Sequence, residues 1–243
     1  MWKHSAATVS EKNLVKHAEE VLNKDNGLSQ TTIDGKRHYV FPGGDSAPLV
    51  SVTTVIKDVI DKPALVGWAK NIGLHSANTV LNRYIGRTID NNLMKSFLTD
   101  SKTELKKNSS SAADFGTMSH ELIESLIKGE RPVIPPEYQT VVDGFNMWRD
   151  KYDTRIIAVE RPVFSTQLGV AGTIDALGFN KSELVVVDWK TSKGFYPEFA
   201  LQAGGYINCL EEMLNRSITS AWIIRFGKER PEFDARAVHA EKA

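Results

Sequence analysis

The 243-residue chain holds a single cysteine, Cys209, which excludes an intramolecular disulfide framework and any metal cluster built from cysteines alone. It also lacks a surplus of either charge: 30 Lys and Arg balance 30 Asp and Glu. Proteins that coat nucleic acid by bulk charge carry a basic excess, so that class is disfavoured. No apolar run approaches the roughly 18 residues that span a bilayer, and no membrane partner is expected. Met1-Trp2-Lys3-His4 lead into polar sequence without an apolar signal core, and acidic residues follow early. Neither a secretory nor a mitochondrial leader is evident, and an intracellular, cytoplasmic chain is the expectation. No Gly/Ser-rich or Pro-rich linker divides the chain, and no internal repeat is visible. What remains is ordinary: 41% hydrophobic and 25% charged residues, the composition of a globular protein rather than a disordered tail.

A single domain over 1–243 fits this length. Residues 1–110 read as mostly helical. Residues 10–24 form an amphipathic helix capped by Ser10, with Gly27 beyond its end. Residues 38–41 are extended and meet the turn Pro42-Gly43-Gly44-Asp45. Ser51 or Thr53 caps a helix running to residue 60, and Pro63 suits the first turn of another, to about 73. Residues 76–98 continue in helical period, and the polar stretch 108–111 reads as a loop. Apolar Phe115, Met118, Leu122, Ile123, Leu126 and Ile127 mark a strong helix over 111–128, and a further helix fills 137–150. Past residue 153 the pattern turns to strands, at 155–165, 170–179 and 183–190. Asn180-Lys181-Ser182 makes a hairpin between the last two. A helix over 197–215 follows, then strands near 218–226 and 232–238. The order defines an α/β (α+β) fold: a central mixed sheet flanked by helices, with a helical N-terminal elaboration.

Val185-Val186-Val187 suit a strand buried on both faces, and Asp188-Trp189-Lys190 end it. Alternation puts Asp188 and Lys190 on one face and Trp189 on the other. Charges at the end of so apolar a strand need partners, a cation or water. The hairpin would also bring Asp175 beside Asp188. Adjacent carboxylates repel unless a cation lies between them, and hard oxygen ligands suit Mg²⁺ or Mn²⁺. The plainer reading is a strand-end salt bridge. Upstream, His120 and Glu124 project from one helix face, but Glu124 stands where the zinc-protease motif H-E-x-x-H needs its second histidine. A surface histidine is the alternative there. Gln202 and Tyr206 share a face of the next helix, a commonplace pairing. Glu160 is ambiguous by itself, and Gly172 marks a bulge or close approach beside Asp175. Cys209 reads as core, as do Trp68, Trp148, Trp189 and Trp222. No G-x-S-x-G, Walker A loop or G-x-G-x-x-G is present.

Taken together, Gly116-Thr117-x-x-His120-x-x-x-Glu124, Gly172-x-x-Asp175, Val185 to Thr191 with Asp188-Trp189-Lys190, and Leu201-Gln202-x-x-x-Tyr206 resemble the PD-(D/E)xK nuclease superfamily, in its RecB-like branch. The likeness covers about 111–226. It extends more weakly to residue 38 through Val50 to Val55 and Leu65-x-x-Trp68, which resemble a segment of the mitochondrial genome maintenance exonuclease and its phage and bacterial relatives. The resemblance implies a restriction-endonuclease-like core and metal-dependent hydrolysis of DNA phosphodiesters, from the ends of single strands, by a monomer. It places His120, Asp175, Asp188 and the Trp189 carbonyl at metal-ligand positions, with Glu160 and Glu124 as further candidates, for one or two Mg²⁺ or Mn²⁺ ions. Lys190 falls on the catalytic lysine, and Asp175, Asp188, Gln202 and Tyr206 on other catalytic or supporting positions. Gln202, Tyr206, Thr191, Ser192 and Lys193 are the implied substrate contacts. Ile174 replaces the motif's proline. With one cysteine, no iron–sulfur cluster is expected. Residues 52–107 would form a cover through which a strand threads. Two readings compete: a structure- or sequence-specific endonuclease on the same fold, and a non-catalytic DNA-binding or recombination-partner module. Net neutrality then favours a local path of cations over a basic coat, from Lys190, Lys193, Lys102, Lys106, Lys107 and Arg225. A solvated face is the plainer reading of any one of these.

Overall fold

The valine run becomes the centre of an eight-stranded mixed sheet in the structure, a computed structural model that describes residues 9–24, 26–43, 46–60, 63–88 and 90–239. The chain divides into two compact units, residues 1–60 with 119–243, and residues 61–118. The first contains α1 (Val9–Asn23), β1 (Ser29–Ile33), β2 (Lys36–Val40), β3 (Leu49–Ser51) and α2 (Val52–Val59). To it also belong the last turns of α4 (Asn91–Ile127), then α5 (Gln139–Tyr152), β4 (Arg155–Ser165), β5 (Val170–Asn180), β6 (Glu183–Lys190), α6 (Pro197–Leu214), β7 (Ser220–Phe226) and β8 (Phe233–His239). The second unit holds α3 (Pro63–Leu81) and the start of α4.

The sheet runs β1-β2-β3-β5-β6-β7-β8, with β4 paired along β5. β6 and β7 are parallel and joined through α6; β4–β5, β5–β6 and β7–β8 are antiparallel. Because β6 lies between two strands and between two helix layers, Val185, Val186 and Val187 are all buried. One core joins Leu184 and Val186 to Ala203, Ile207 and Leu210 of α6, Ala18 and Leu22 of α1 and Val52 of α2. Elsewhere, Trp148 of α5 meets Trp189 edge-on at 5.0 Å, and Phe145 touches Trp189 and Phe226 at 5.9 and 6.3 Å. Trp189 thus points away from its charged neighbours, as alternation requires.

Several local expectations need correction. The N-terminal part is not only helical: β1 and β2 form a hairpin through Asp34 and Gly35, both at positive φ (50° and 74°), the geometry of a tight hairpin turn. Helical period does not run unbroken over 76–98, because α3 ends at Leu81 and α4 begins at Asn91. Asp90 Oδ1 accepts the Leu93 N–H at 2.7 Å and caps the new start. The polar stretch 108–111 is helix, not loop. Ser110 and Ser111 hydroxyls donate to the Lys107 carbonyl (3.0 and 2.9 Å), and Asn108 donates to Ser76 Oγ (3.0 Å), so the polar groups are satisfied without breaking the helix. Ser51 precedes α2 but makes no side-chain cap; its hydroxyl meets Thr53 Oγ1 instead. Trp68 is 40% exposed rather than core, while Cys209 is buried. Gly44 and Asp45 of the proposed turn, residues 1–4 and the Leu65 side chain lie outside what the structure describes. No helix among the described residues is long and apolar enough to cross a membrane.

Candidate functional site

β5 shares one edge between two strands. β3 pairs with Val170 and Ala171, β6 with Ala176 to Asn180, and β4 covers the opposite edge. Gly172 to Asp175 fall in the gap where β3 and β6 part. Side chains fill it. The Trp189 N–H donates to Asp175 Oδ2 at 2.6 Å, and a Cβ on Gly172 would stand 2.5 Å from the Tyr206 ring. Gly172 is therefore a close-approach glycine.

The same pairing gathers carboxylates. The β5–β6 ladder ends at Ala176–Val187, one residue short of Asp175 and Asp188, and the two carboxyls lie close enough to repel. Across the other edge, Glu160 and Asp175 sit between the Val159–Ala176 and Arg161–Ile174 pairs. Three neighbouring strands thus present Glu160, Asp175 and Asp188 side by side. Glu160 takes a left-handed φ of 46° inside its strand, a conformation costing about 1–2 kcal/mol for a residue with a Cβ. Strain of this kind concentrates at functional sites.

His120 comes from the end of α4. Its Nε2 lies 3.1 Å from the Trp189 carbonyl oxygen; its Nδ1 is 3.5 Å from Asp175 Oδ1 and 4.0 Å from Glu160 Oε1. One donor atom each from His120, Glu160 and Asp175 lie within 4.8 Å of one another. Asp188 is fully buried, its Oδ2 2.5 Å from Lys190 Nζ, yet that oxygen has no hydrogen bond of good geometry. Gln202 arranges the remainder. Its amide donates to Asp188 Oδ1 (3.2 Å) and Tyr206 Oη (2.9 Å), and its carbonyl accepts from Lys190 at 3.5 Å.

The charges perturb one another strongly. Burial, reinforced by Asp175, pushes Asp188 up to about 6 against the pull of Lys190. Burial and the Asp175 charge push Glu160 up to about 7. Burial opposes ionisation of Asp175 too, but His120, Lys190 and the Trp189 N–H win and hold its carboxyl below the usual range. Burial likewise opposes charge on His120 and Lys190, and their carboxylate neighbours hold both above their ordinary values. Burial and the two aspartates keep Tyr206 un-ionised. Three crowded carboxylates, an imidazole and a backbone carbonyl form an oxygen-rich donor set. That chemistry fits Mg²⁺ or Mn²⁺ better than a soft metal.

Other expected residues have contacts of their own. Glu124 pairs with Lys128 at 2.7 Å and lies outside the ligand group. Thr191, Ser192 and Lys193 directly follow β6, with Ser192 Oγ donating to the Gly194 carbonyl. Arg225 is bound by Asp234 and Glu232, which neutralise it locally and remove it from a free cation path. Lys102, Lys106 and Lys107 are exposed on α4. Sequence reasoning missed Tyr39, whose hydroxyl lies 3.0 Å from Thr173 Oγ1 beside the gap; its strand gives no local sign of that contact. It also missed Phe199, three residues before Gln202 on α6, whose ring centre lies 5.1 Å from Lys190 Nζ. No family model matches the chain, and no curated protein matches it significantly in sequence.

Proposed function

We propose that the protein is a metal-dependent deoxyribonuclease of the RecB-like PD-(D/E)xK kind, hydrolysing phosphodiester bonds from the ends of single-stranded DNA. The observation that carries the reading is the meeting, where β6 leaves β5, of the buried Asp188–Lys190 pair with His120, Glu160 and Asp175. A strand-end salt bridge would need only Asp188 and Lys190; it gives no reason for two further carboxylates and an imidazole in the same place. Parallel strands β6 and β7 end here, and ligand sites of α/β sheets gather at such ends.

His120, Asp175, Asp188 and the Trp189 carbonyl would hold Mg²⁺ or Mn²⁺, with Glu160 as a further ligand. When bound, the ion lowers the pKa of water and neutralises charge on the scissile phosphate. Lys190 stays protonated beside Asp188 and offers its N–H donors to a non-bridging phosphate oxygen and to the attacking water. Water oxygen bonds to phosphorus and its proton passes to solvent, while the ester P–O bond breaks and the departing oxygen takes a proton from solvent. Gln202 fixes the Asp188 carboxylate and the Lys190 ammonium through one amide, so it acts as a positioning residue. Tyr206 fills the gap over Gly172 and supports Gln202.

The test is a time course on end-labelled linear single-stranded, linear double-stranded and circular single-stranded DNA, with Mg²⁺ or EDTA. Cleavage of linear single strands that needs Mg²⁺ and spares circles is the expected result. Lys190→Ala should slow it at least about 100-fold, the scale for losing one preorganised donor to a developing charge. Cutting of circles would favour the endonuclease reading, and near wild-type rates for Lys190→Ala would sink the assignment.

A further inference from the structure

Next to Lys190 the chain carries an aromatic group that lies outside the buried core. β6 leads into Phe195 and Tyr196, and α6 opens with Pro197 and Phe199. Phe195, Tyr196 and Phe199 are all only half-buried. Tyr196 and Phe199 meet edge-to-face at 5.5 Å, and the Phe199 N–H donates to the Tyr196 carbonyl at 3.0 Å, fixing their spacing. Lys190 Nζ lies 5.1 Å from the centre of the Phe199 ring. Arg236 stacks over Phe195 at 4.2 Å.

Tyr196 is the N-cap of α6 and makes no side-chain cap bond. Ser, Thr, Asp or Asn there would stabilise the helix by about 1 kcal/mol. An aromatic forgoes that gain and leaves part of its ring in water. Phe199, Gln202 and Tyr206 are spaced three and four apart on α6, so they form one stripe. The stripe runs from the half-exposed ring to Gln202, which touches Asp188, and then to buried Tyr206.

We propose that Phe199, braced edge-on by Tyr196, is a stacking platform for a nucleobase of the strand being cut, next to the phosphate that meets Lys190. The inference rests on the nuclease reading and names its substrate class: a strand with unpaired, unstacked bases. A ring can stack only on a base freed from its duplex neighbours, and one within reach of Lys190 holds that base beside the reacting phosphate. Each base–aromatic stack contributes between about 5- and 150-fold to affinity.

The experiment compares oligothymidylate with an abasic oligonucleotide of equal length, on wild type, Phe199→Leu, Tyr196→Leu and Phe199→Trp. Steady-state cleavage in Mg²⁺ gives the KM ratio of the two oligonucleotides. Anisotropy of their fluorescein-labelled forms in EDTA gives the affinity ratio without catalysis. For wild type both ratios should favour thymidylate about 10-fold. Phe199→Leu should bring both close to 1 by weakening thymidylate selectively, Tyr196→Leu should lower them partly, and Phe199→Trp should keep them. A ratio still near 10 in Phe199→Leu, including uniform slowing of both substrates, would overturn the platform. Base-selective binding without any cleavage would overturn the nuclease reading alone, and cleavage without base selectivity would overturn the platform alone.

Discussion

Replacing Asp188 with Asn should separate the cost of assembling this site from its use. Asp188 is completely buried and faces Asp175, and burial raises its carboxyl from 3.8 to about 6. Near pH 7 the fold therefore holds an anion it disfavours, since each unit of pKa corresponds to about 1.4 kcal/mol. The isosteric amide keeps an oxygen for the Gln202 donor and removes the repulsion from Asp175, but it turns its N–H₂ toward the Lys190 ammonium and takes away that lysine's nearest counter-charge. Breaking a buried pair from one side costs about 3–5 kcal/mol, while relieving the raised carboxyl returns about 3 kcal/mol. Without metal, Asp188→Asn should therefore lie within about 2 kcal/mol of wild type. With metal the gap should widen in favour of wild type. An ion present at 100 times its dissociation constant stabilises the form that binds it by about 2.7 kcal/mol. For a chain of this size that raises the midpoint by about 5–10 °C. Trp148 and Trp189 pack against each other and adjoin the site, so on a Trp68→Phe background, which removes the tryptophan of the other unit, fluorescence follows the unfolding of the unit that holds the site. Thermal scans in EDTA and in millimolar Mg²⁺ or Mn²⁺, at matched ionic strength, give the four numbers. The reasoning fails if wild type ignores both ions, or if Asp188→Asn gains as much from them.

Three further outcomes test other links. Gly172→Ala would place a Cβ 2.5 Å from the Tyr206 ring. It should cost about 1–3 kcal/mol by overpacking and lower cleavage by displacing the Gln202 support; equal stability in urea titrations would contradict the close approach. Ser110→Pro lies inside α4 and should cost about 3 kcal/mol with a visible loss of helical circular dichroism, whereas a loop at 108–111 would accept it. Glu212 accepts bonds from Ser165 Oγ, Thr166 N and Thr166 Oγ1 at 2.5, 2.9 and 2.6 Å, and these hold its carboxyl below the usual range despite some desolvation. Its contribution is present above the unfolded pKa and lost as pH falls through the lower folded one. Glu212→Gln should be about 1 kcal/mol less stable at pH 7, and the gap to wild type should close below about pH 4.

How much was legible before folding varied with the range of the interactions. The strands at 155–165 and 183–190 and the hairpin at 180–182 follow from alternation and turn residues, and the structure keeps them. The hairpin alone brings Asp175 near Asp188, since a two-strand register is short-range. The Asp34-Gly35 turn is equally readable, since Asp-Gly is a preferred hairpin pair. The region 108–111 misled because serine and asparagine favour loops when isolated; only contacts to Ser76 and to the Lys107 carbonyl make them helical. Glu160 was ambiguous for a deeper reason: its place depends on β4 pairing with the far edge of β5 and on a left-handed backbone that no local pattern announces.

By itself, then, the sequence determined the donor chemistry and its local spacing: an aspartate and a lysine two apart on one strand face, a second aspartate one hairpin away, and a histidine on a helix. Those are consequences of strand and helix period, which act over a few residues. Tertiary structure alone decided that β3 and β6 part along β5, opening a gap at Gly172 to Asp175. It alone brought His120 to within 3.5 Å of Asp175 and buried Asp188 completely. Net neutrality looked like a property of the whole chain. In the fold, Glu160, Asp175 and Asp188 gather around one lysine, and at short range and low polarity those few charges outweigh any average over the surface.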